Sequence, residues 1–129
     1  MSLRDFTFNS DPTTDPVTVD AYANVKITGI DSTVAVDDLF RAMTSGPLSV
    51  NWKNTDGANG ITVQVLGSNN QDAADADKRV VSGPTAIAAG AVAHIEIPVA
   101  FYAFYWFQHK ATVGSSQGDS KVYGNHKRV

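Results

Sequence analysis

Residues 47–70 read PLSVNWKNTDGANGITVQVLGSNN, and two runs within this stretch alternate apolar and polar side chains. Leu48, Val50 and Trp52 occupy every second position of the first run, and the segment Ile61 to Val65 repeats the pattern. A period of two is typical of β-strands that bury one face. The intervening NTDGANG is rich in turn residues, so the stretch is interpreted as a β-hairpin.

Further strand patterns lie on both sides of this stretch. Alternation recurs in residues 17–27 and 92–97, and residues 101–112 and 120–128 are interpreted as a C-terminal hairpin. Valine and threonine, which favour strands, occur 15 and 11 times, against only 4 leucines. The chain of 129 residues is therefore predicted to be all-β, a single β-sandwich or jelly roll of seven to eight antiparallel strands.

One segment departs from the period of two. Val36, Leu39, Phe40 and Met43 follow helical spacing, which predicts one short helix near residues 36–44. Residues 69–78 carry no large apolar side chain and are expected to form a surface loop.

The first 20 residues have a different character from the rest. Phe6 and Phe8 alternate with polar residues, whereas Pro12 and Pro16 lack the amide donor that a continuous ladder needs. We expect residues 1–20 to form an extended N-terminal arm or edge strand and residues 21–129 to form the sandwich. The arm docks either on its own sandwich or on a neighbouring copy, and we favour the neighbour.

Charge and composition exclude several classes of protein. The formal net charge of −3 argues against nucleic-acid binding, which depends on clustered Lys and Arg. The longest apolar run, Ile97 to Phe107, is shorter than the roughly 20 residues of a membrane-spanning helix, so no membrane association is expected. The chain has no cysteine and therefore no disulfide or thiolate metal site.

Charge is also distributed unevenly along the chain. Residues 1–77 carry 11 acidic and 4 basic side chains, whereas residues 78–129 carry 2 acidic and 6 basic ones. Either folding interleaves the two halves, or copies of the chain dock through complementary charges.

No motif predicts catalysis or a bound cofactor. His94, His109 and His126 are too widely spaced for a local zinc motif. The Asp-rich positions 72, 75 and 77 and the turn at 54–59 lack the ligand order of a calcium loop, and turn formation explains them more simply. Neither a nucleophile elbow nor a phosphate-binding loop is present, so we predict no enzyme, no cofactor and no metal.

The segment FYAFYWF at residues 101–107 is the strongest local signal, since six of its seven residues are aromatic. On a strand, Tyr102, Phe104 and Trp106 face one side while Tyr105 and its alternate neighbours face the other. A soluble monomer rarely exposes so many rings. The second face is covered by the chain itself, covered by another subunit, or used as a stacking platform for a sugar or base ligand.

Residues 46–129 resemble a group of small β-sandwich virion proteins of tailed bacteriophages. The resemblance rests on four segments in this order: GPLSVNWKNTDGANGITVQVLGSNN, AAGAVAHIEIPVA, YAFYWFQHKAT and SKVYGNHKRV. Proteins of this kind act as head decoration or cement proteins, or as head-fibre and tail components. The resemblance implies no catalytic residues.

The resemblance implies a non-enzymatic structural protein located in the virion, a capsid decoration or cement protein that binds the shell as a homo-oligomer. A trimer is favoured, because the strand at residues 101–107 is apolar on both faces and needs more cover than a small sandwich supplies. Its expected partner is the major capsid protein or another virion protein. Alternatives are a tail or fibre component and a carbohydrate-binding module that uses Trp52, Tyr102 or Trp106. The candidate interface residues are Phe6, Phe8, Tyr102, Phe104, Trp106, Lys121, Lys127 and Arg128.

The predicted absence of a metal leads to a direct test. We expect the melting temperature to be unchanged by EDTA, because only a ligand bound to the native state raises apparent stability. Differential scanning fluorimetry with and without EDTA, and with added calcium, measures this. A fall of several degrees with EDTA would instead identify the Asp-rich positions as a metal site.

Overall fold

Two antiparallel β-sheets pack face to face and enclose one apolar core. The computed structural model describes residues 3–9, 22–27, 39–41, 48–97, 102–112 and 120–127, and the side chains of 22–25, 48–97, 102–112 and 120–123. The strands in this part of the chain are β1 (Leu3–Asn9), β2 (Ala23–Asn24), β3 (Lys26–Ile27), β4 (Leu39–Arg41), β5 (Leu48–Asn54), β6 (Ile61–Ser68), β7 (Arg79–Ile87), β8 (Val92–Ile97), β9 (Phe104–Ala111) and β10 (Ser120–Lys127). A 3-10 turn spans Asp75–Asp77.

The order of the strands is that of a jelly roll. One sheet has the order β3-β1-β10-β5-β8, and the other has β2-β9-β6-β7 with β4 beside β2 on the same edge of β9. The pairs are nested in sequence: β6 with β7, β5 with β8, β2 and β4 with β9, and β1 with β10. Such nesting is a long hairpin rolled into two sheets. The predicted all-β sandwich or jelly roll is confirmed.

Alternating side chains explain why these segments form strands with one buried face. On β5 the apolar Leu48, Val50 and Trp52 are buried, while Ser49 and Lys53, at alternate positions of the same strand, are exposed. The core residues from both sheets are Val25, Leu48, Val50, Trp52, Ile61, Val63, Val65, Ile87, Ile95, Ile97, Tyr105, Phe107 and Val122.

The two predicted hairpins are wrong. β5 and β6 lie in different sheets, as do β9 and β10, so residues 55–60 carry the chain across the end of the sandwich. Turn residues indicate a reversal, but they do not specify which sheet the next strand joins.

The buried amide of Asn54 holds this crossing in place, because its Nδ2 donates to the carbonyl of Asn59 at 2.8 Å and to those of Ile87 and Ala88 at 3.3 Å.

The predicted helix near residues 36–44 is also wrong where the structure describes it. Residues 39–41 form β4, with Leu39 opposite Trp106 and Arg41 opposite Phe104. Adjacent apolar residues such as Leu39 and Phe40 fit a helical or an extended pattern, and the open edge of β9 supplies backbone partners that favour a strand. Residues 36–38 and 42–44 lie outside the described residues.

Where it is described, the N-terminal segment pairs as a strand within the chain's own sheet. β1 pairs with β10 along its whole length, from Leu3 opposite Lys127 to Asn9 opposite Lys121, and with β3 on its other side. β1 therefore lies between β3 and β10 and covers the edge that β10 would otherwise leave unpaired. Residues 10–20 of the expected arm lie outside the described residues.

The position of β1 generates a stability prediction. Deleting residues 1–9 removes the ladder partner of β10, and at about 1 kcal/mol net per backbone hydrogen bond the free energy of unfolding should fall by about 3 kcal/mol or more. The melting temperature should then fall by roughly 10 °C, measured by circular dichroism. Deletion of residues 1–2 is the control. An unchanged melting temperature together with a smaller oligomer would instead support docking on a neighbour.

Candidate functional site

An open basic depression lies on the outer face of the β1-β10-β5-β8 sheet. It has a volume of about 550 Å³ and is lined by Lys53, Thr55, Lys121 and Tyr123. Lys53 and Lys121 are directly opposite each other on the paired strands β5 and β10. Both lysines are exposed, whereas Tyr123 is half-buried. We call these four residues the basic depression.

The strand pattern fixes the outward direction of these side chains. Trp52 and Val122 are directly opposite each other, and both are fully buried in the core. Their neighbours Lys53 and Lys121 must then face solvent, because successive side chains on a strand point to opposite faces. The paired strands thus place the two lysines at neighbouring positions on the outer face.

Like charges that are directly opposite on paired strands destabilise a sheet. Among the residues that the structure describes, neither Lys53 nor Lys121 forms an ion pair. Lys121 Nζ lies 5.9 Å from the centroid of the Tyr123 ring, within reach of a cation–π attraction. The depression can therefore accept an anionic group, with ammonium donors from two strands and the phenol of Tyr123 beside them.

The rest of this outer face is polar. His94 Nδ1 and Asn51 Oδ1 are 2.6 Å apart on the neighbouring strands β8 and β5. Glu96 is exposed opposite Ser49, toward the other end of β5 from Lys53. Polar side chains thus continue from the basic depression across the edge strand β8.

The opposite sheet carries the aromatic strand, and Trp106 on its outer face is covered by the same chain. Trp106 points away from the core but is only 3% exposed, and it packs with Leu66 and Phe104. Lys78 Nζ lies 3.9 Å above the Trp106 ring and 2.6 Å from Asp75 Oδ1. Residues 69–78, here called the acidic loop, therefore supply intramolecular cover for Trp106.

A row of amides fastens the acidic loop to this sheet. Gln108 Nε2 donates to Asn24 Oδ1 at 2.8 Å, and Gln64 Nε2 donates to Gln108 Oε1 at 2.9 Å. Gln108 Nε2 also lies 3.4 Å from Asp75 Oδ2. The row joins three strands to the loop. Sequence reasoning missed it, although residues 64 and 108 are polar positions within strand patterns.

Lys110 and Tyr22 form a second ring contact on this side of the sheet. Lys110 Nζ lies 4.7 Å from the centroid of the Tyr22 ring. Burial raises the pKa of the Tyr22 phenol, so its hydroxyl stays protonated at neutral pH.

The aromatic residues proposed as a sugar platform are mostly enclosed. Trp52 is fully buried and Trp106 nearly so, which removes both as stacking surfaces in this conformation. Tyr102 is half-buried and packs edge-on against Tyr105, with ring centroids 6.3 Å apart. Its ring also lies over Gly67, so closely that a Cβ atom on residue 67 would be only 2.6 Å from the ring. Because Trp106 is only 3% exposed, it also offers little surface for contact with another subunit in this conformation.

A buried polar contact links the two sheets through the core. His109 Nδ1 is 2.6 Å from Ser120 Oγ, and Trp52 Nε1 donates to the same oxygen at 3.0 Å. His109 is fully buried and Ser120 is 2% exposed, so neither can reach a substrate. The contact connects β9, β10 and β5. Within the described residues, no group of three or more His, Asp and Glu side chains is arranged to hold a metal ion.

For the remaining candidate interface residues, the structure describes the position of the backbone alone, or the residue lies outside the described part of the chain. Phe6 and Phe8 are opposite Gly124 and Val122, and Lys127 is opposite Leu3. Arg128 lies outside the described residues. The structure thus brings Lys121 together with Lys53 and Thr55, two residues that the sequence pattern did not single out.

No protein-family model and no curated protein matches this chain. In the described residues, no helix is long and apolar enough to cross a membrane.

The cover over Trp106 can be tested with one substitution. Lys78→Ala should expose the indole, so acrylamide quenching of tryptophan fluorescence should increase and the emission should shift to longer wavelength. The lost cation–π contact should cost about 0.5–2 kcal/mol of stability. Lys110→Ala, which removes a cation stacked on Tyr22, is the matched control. Equal quenching in Lys78→Ala and the native chain would show that Lys78 does not cover Trp106.

Proposed function

We propose that this chain is a non-enzymatic structural protein of a tailed-phage particle, a capsid decoration or cement protein that binds the shell as a homo-oligomer. The observation that carries this proposal is the basic depression, a pair of exposed lysines at neighbouring positions on paired strands. The proposed partners are the major capsid protein or another virion protein, and the proposed location is the virion.

The lysine pair favours binding to an acidic protein surface. Holding Lys53 beside Lys121 costs stability in the free chain, and a carboxylate between them would offset this repulsion. Complementary charge also steers encounter and fixes register at an interface. The strand backbone beneath the lysines is already ordered by pairing, so binding has to order only their side chains.

The fold is compatible with this proposal. Jelly rolls occur in viral capsid proteins and also in lectins and cupins. The resemblance of residues 46–129 to phage virion proteins favours the first of these groups. A tail or fibre position is the alternative within the particle.

The cover over the aromatic strand bears on whether the chain forms oligomers. The aromatic strand suggested that a second subunit covers its outer face, but Lys78 and the acidic loop already cover Trp106. The trimer therefore stays a prediction without the support of Trp106, and surface charge supports only association of copies in general. Of the three residues proposed for carbohydrate binding, Trp52 and Trp106 are buried, and only the half-buried Tyr102 has a ring that a sugar could contact.

Mass spectrometry of purified particles, combined with cosedimentation, tests the proposal. We expect the chain to be a stoichiometric particle component and to bind stripped shells saturably at low salt. Binding should weaken at high salt because exposed charges are screened. The native mass of the free protein should correspond to a trimer. Absence from particles, together with no binding to shells, would contradict the proposed function.

A further inference from the structure

Surfaces of opposite charge lie on the outer faces of the two sheets. The basic depression is on the β1-β10-β5-β8 sheet, and the acidic loop lies over Trp106 on the β2-β9-β6-β7 sheet. The side chains of Asp72, Asp75 and Asp77 in this loop are all exposed, and Asp75 is also paired with Lys78. The sandwich therefore carries a cationic surface on one side and an anionic surface on the other.

We propose that copies of this chain associate head to tail, with the acidic loop of one copy docked in the basic depression of the next. This inference rests on the homo-oligomeric part of the proposed function and identifies the acidic surface that the basic depression binds as that of a neighbouring copy, so that the shell would contact other surfaces of the oligomer. The ammonium groups of Lys53 and Lys121 would donate to the carboxylates of Asp72 and Asp77.

The placement of the charges favours this arrangement over a symmetric dimer made through one patch. A two-fold axis through the basic depression would bring lysine against lysine, and one through the acidic loop would bring aspartate against aspartate. Both arrangements are repulsive. Contact between two different surfaces is heterologous, and repetition of it produces either a closed ring, such as a trimer, or an open chain.

The acidic loop is organised well enough to act as a docking element. Asn70 Oδ1 accepts the backbone N–H of Asp72 at 2.9 Å, and Asn69 Oδ1 accepts that of Ala103 at 3.0 Å. The contacts of Asp75 with Lys78 and Gln108 hold the loop on the sheet. Docking therefore requires little additional ordering of the loop, which favours association.

Charge reversal on each surface separately tests the contact. Lys53→Glu/Lys121→Glu makes both surfaces acidic, and Asp72→Lys/Asp77→Lys makes both basic, so each variant alone should be monomeric. The chain with all four substitutions keeps the native net charge and should regain the native mass. Sedimentation velocity at about 0.05 and about 0.5 M NaCl measures the mass and its dependence on salt.

Controls separate this contact from unfolding and from general charge effects. Thermal melts should show that every variant is folded. Glu96→Lys/Lys110→Glu reverses two charges outside both surfaces and should keep the native mass. A monomeric native chain, reversal variants with the native mass, or a four-substitution chain that stays monomeric would each overturn the proposal.

Particle binding distinguishes this proposal from the proposed function. If Lys53→Glu/Lys121→Glu lost binding to shells but kept the native oligomer mass, the depression would bind the shell, and the head-to-tail contact would be wrong. If the four-substitution chain reassembled but the native chain were absent from particles, the contact would stand and the virion role would be wrong.

Discussion

Strand β9 is covered on both faces, and the rest of the fold is arranged around this burial. Phe107 packs edge-on against Trp52 across the core, with ring centroids 5.9 Å apart. On the other face, Trp106 is covered by Lys78, and Gln108 is held between Gln64 and Asn24. β6 occupies one edge of β9, and β2 and β4 share the other. A strand so rich in aromatic residues can remain in a small protein because one chain supplies all of this cover.

The cover comes from a segment that has little apolar surface of its own. The acidic loop contacts the sheet through the ammonium group of Lys78 and the carboxylate of Asp75, and Lys78 contributes its aliphatic stem as well. A cation above an indole is more favourable when it is shielded from water, and the Lys78 side chain is only 6% exposed. The same loop keeps Asp72 and Asp77 at the surface. One segment thus protects the aromatic face and gives that side of the molecule its negative charge.

Sequence patterns predicted the strands with one buried face but not the way they connect. The alternation around Trp52 places its neighbours correctly, because a buried core face imposes a period of two. The reversal after Asn54 was interpreted as a hairpin, since local turn residues carry no information about which sheet comes next. The spacing around Phe40 predicted a helix because it reflects only the local sequence. The interaction that favours a strand there, pairing with β9, joins residues that are distant in sequence.

The candidate site shows the same limit. Lys121 was singled out from the charge of the C-terminal half, whereas its cross-strand partner Lys53 lies 68 positions earlier and became visible only through the β5–β10 register. Similarly, the cover of Trp106 depends on a lysine 28 positions earlier in the chain. Contacts between strands that are distant in sequence cannot be read from local spacing, and they decide which surface remains available to a partner.

The chain covers Trp106 with its own acidic loop, and we propose the basic depression as the surface that binds a protein partner. Lysine acetylation followed by mass spectrometry, on the protein free at high salt and assembled at low salt, tests both statements most directly. We expect Lys53 and Lys121 to react in the free protein and to be protected on assembly, while Lys78 is protected in both states and Lys110 is unchanged. Equal reactivity of Lys53 and Lys121 in both states, with Lys78 protected only on assembly, would contradict both statements.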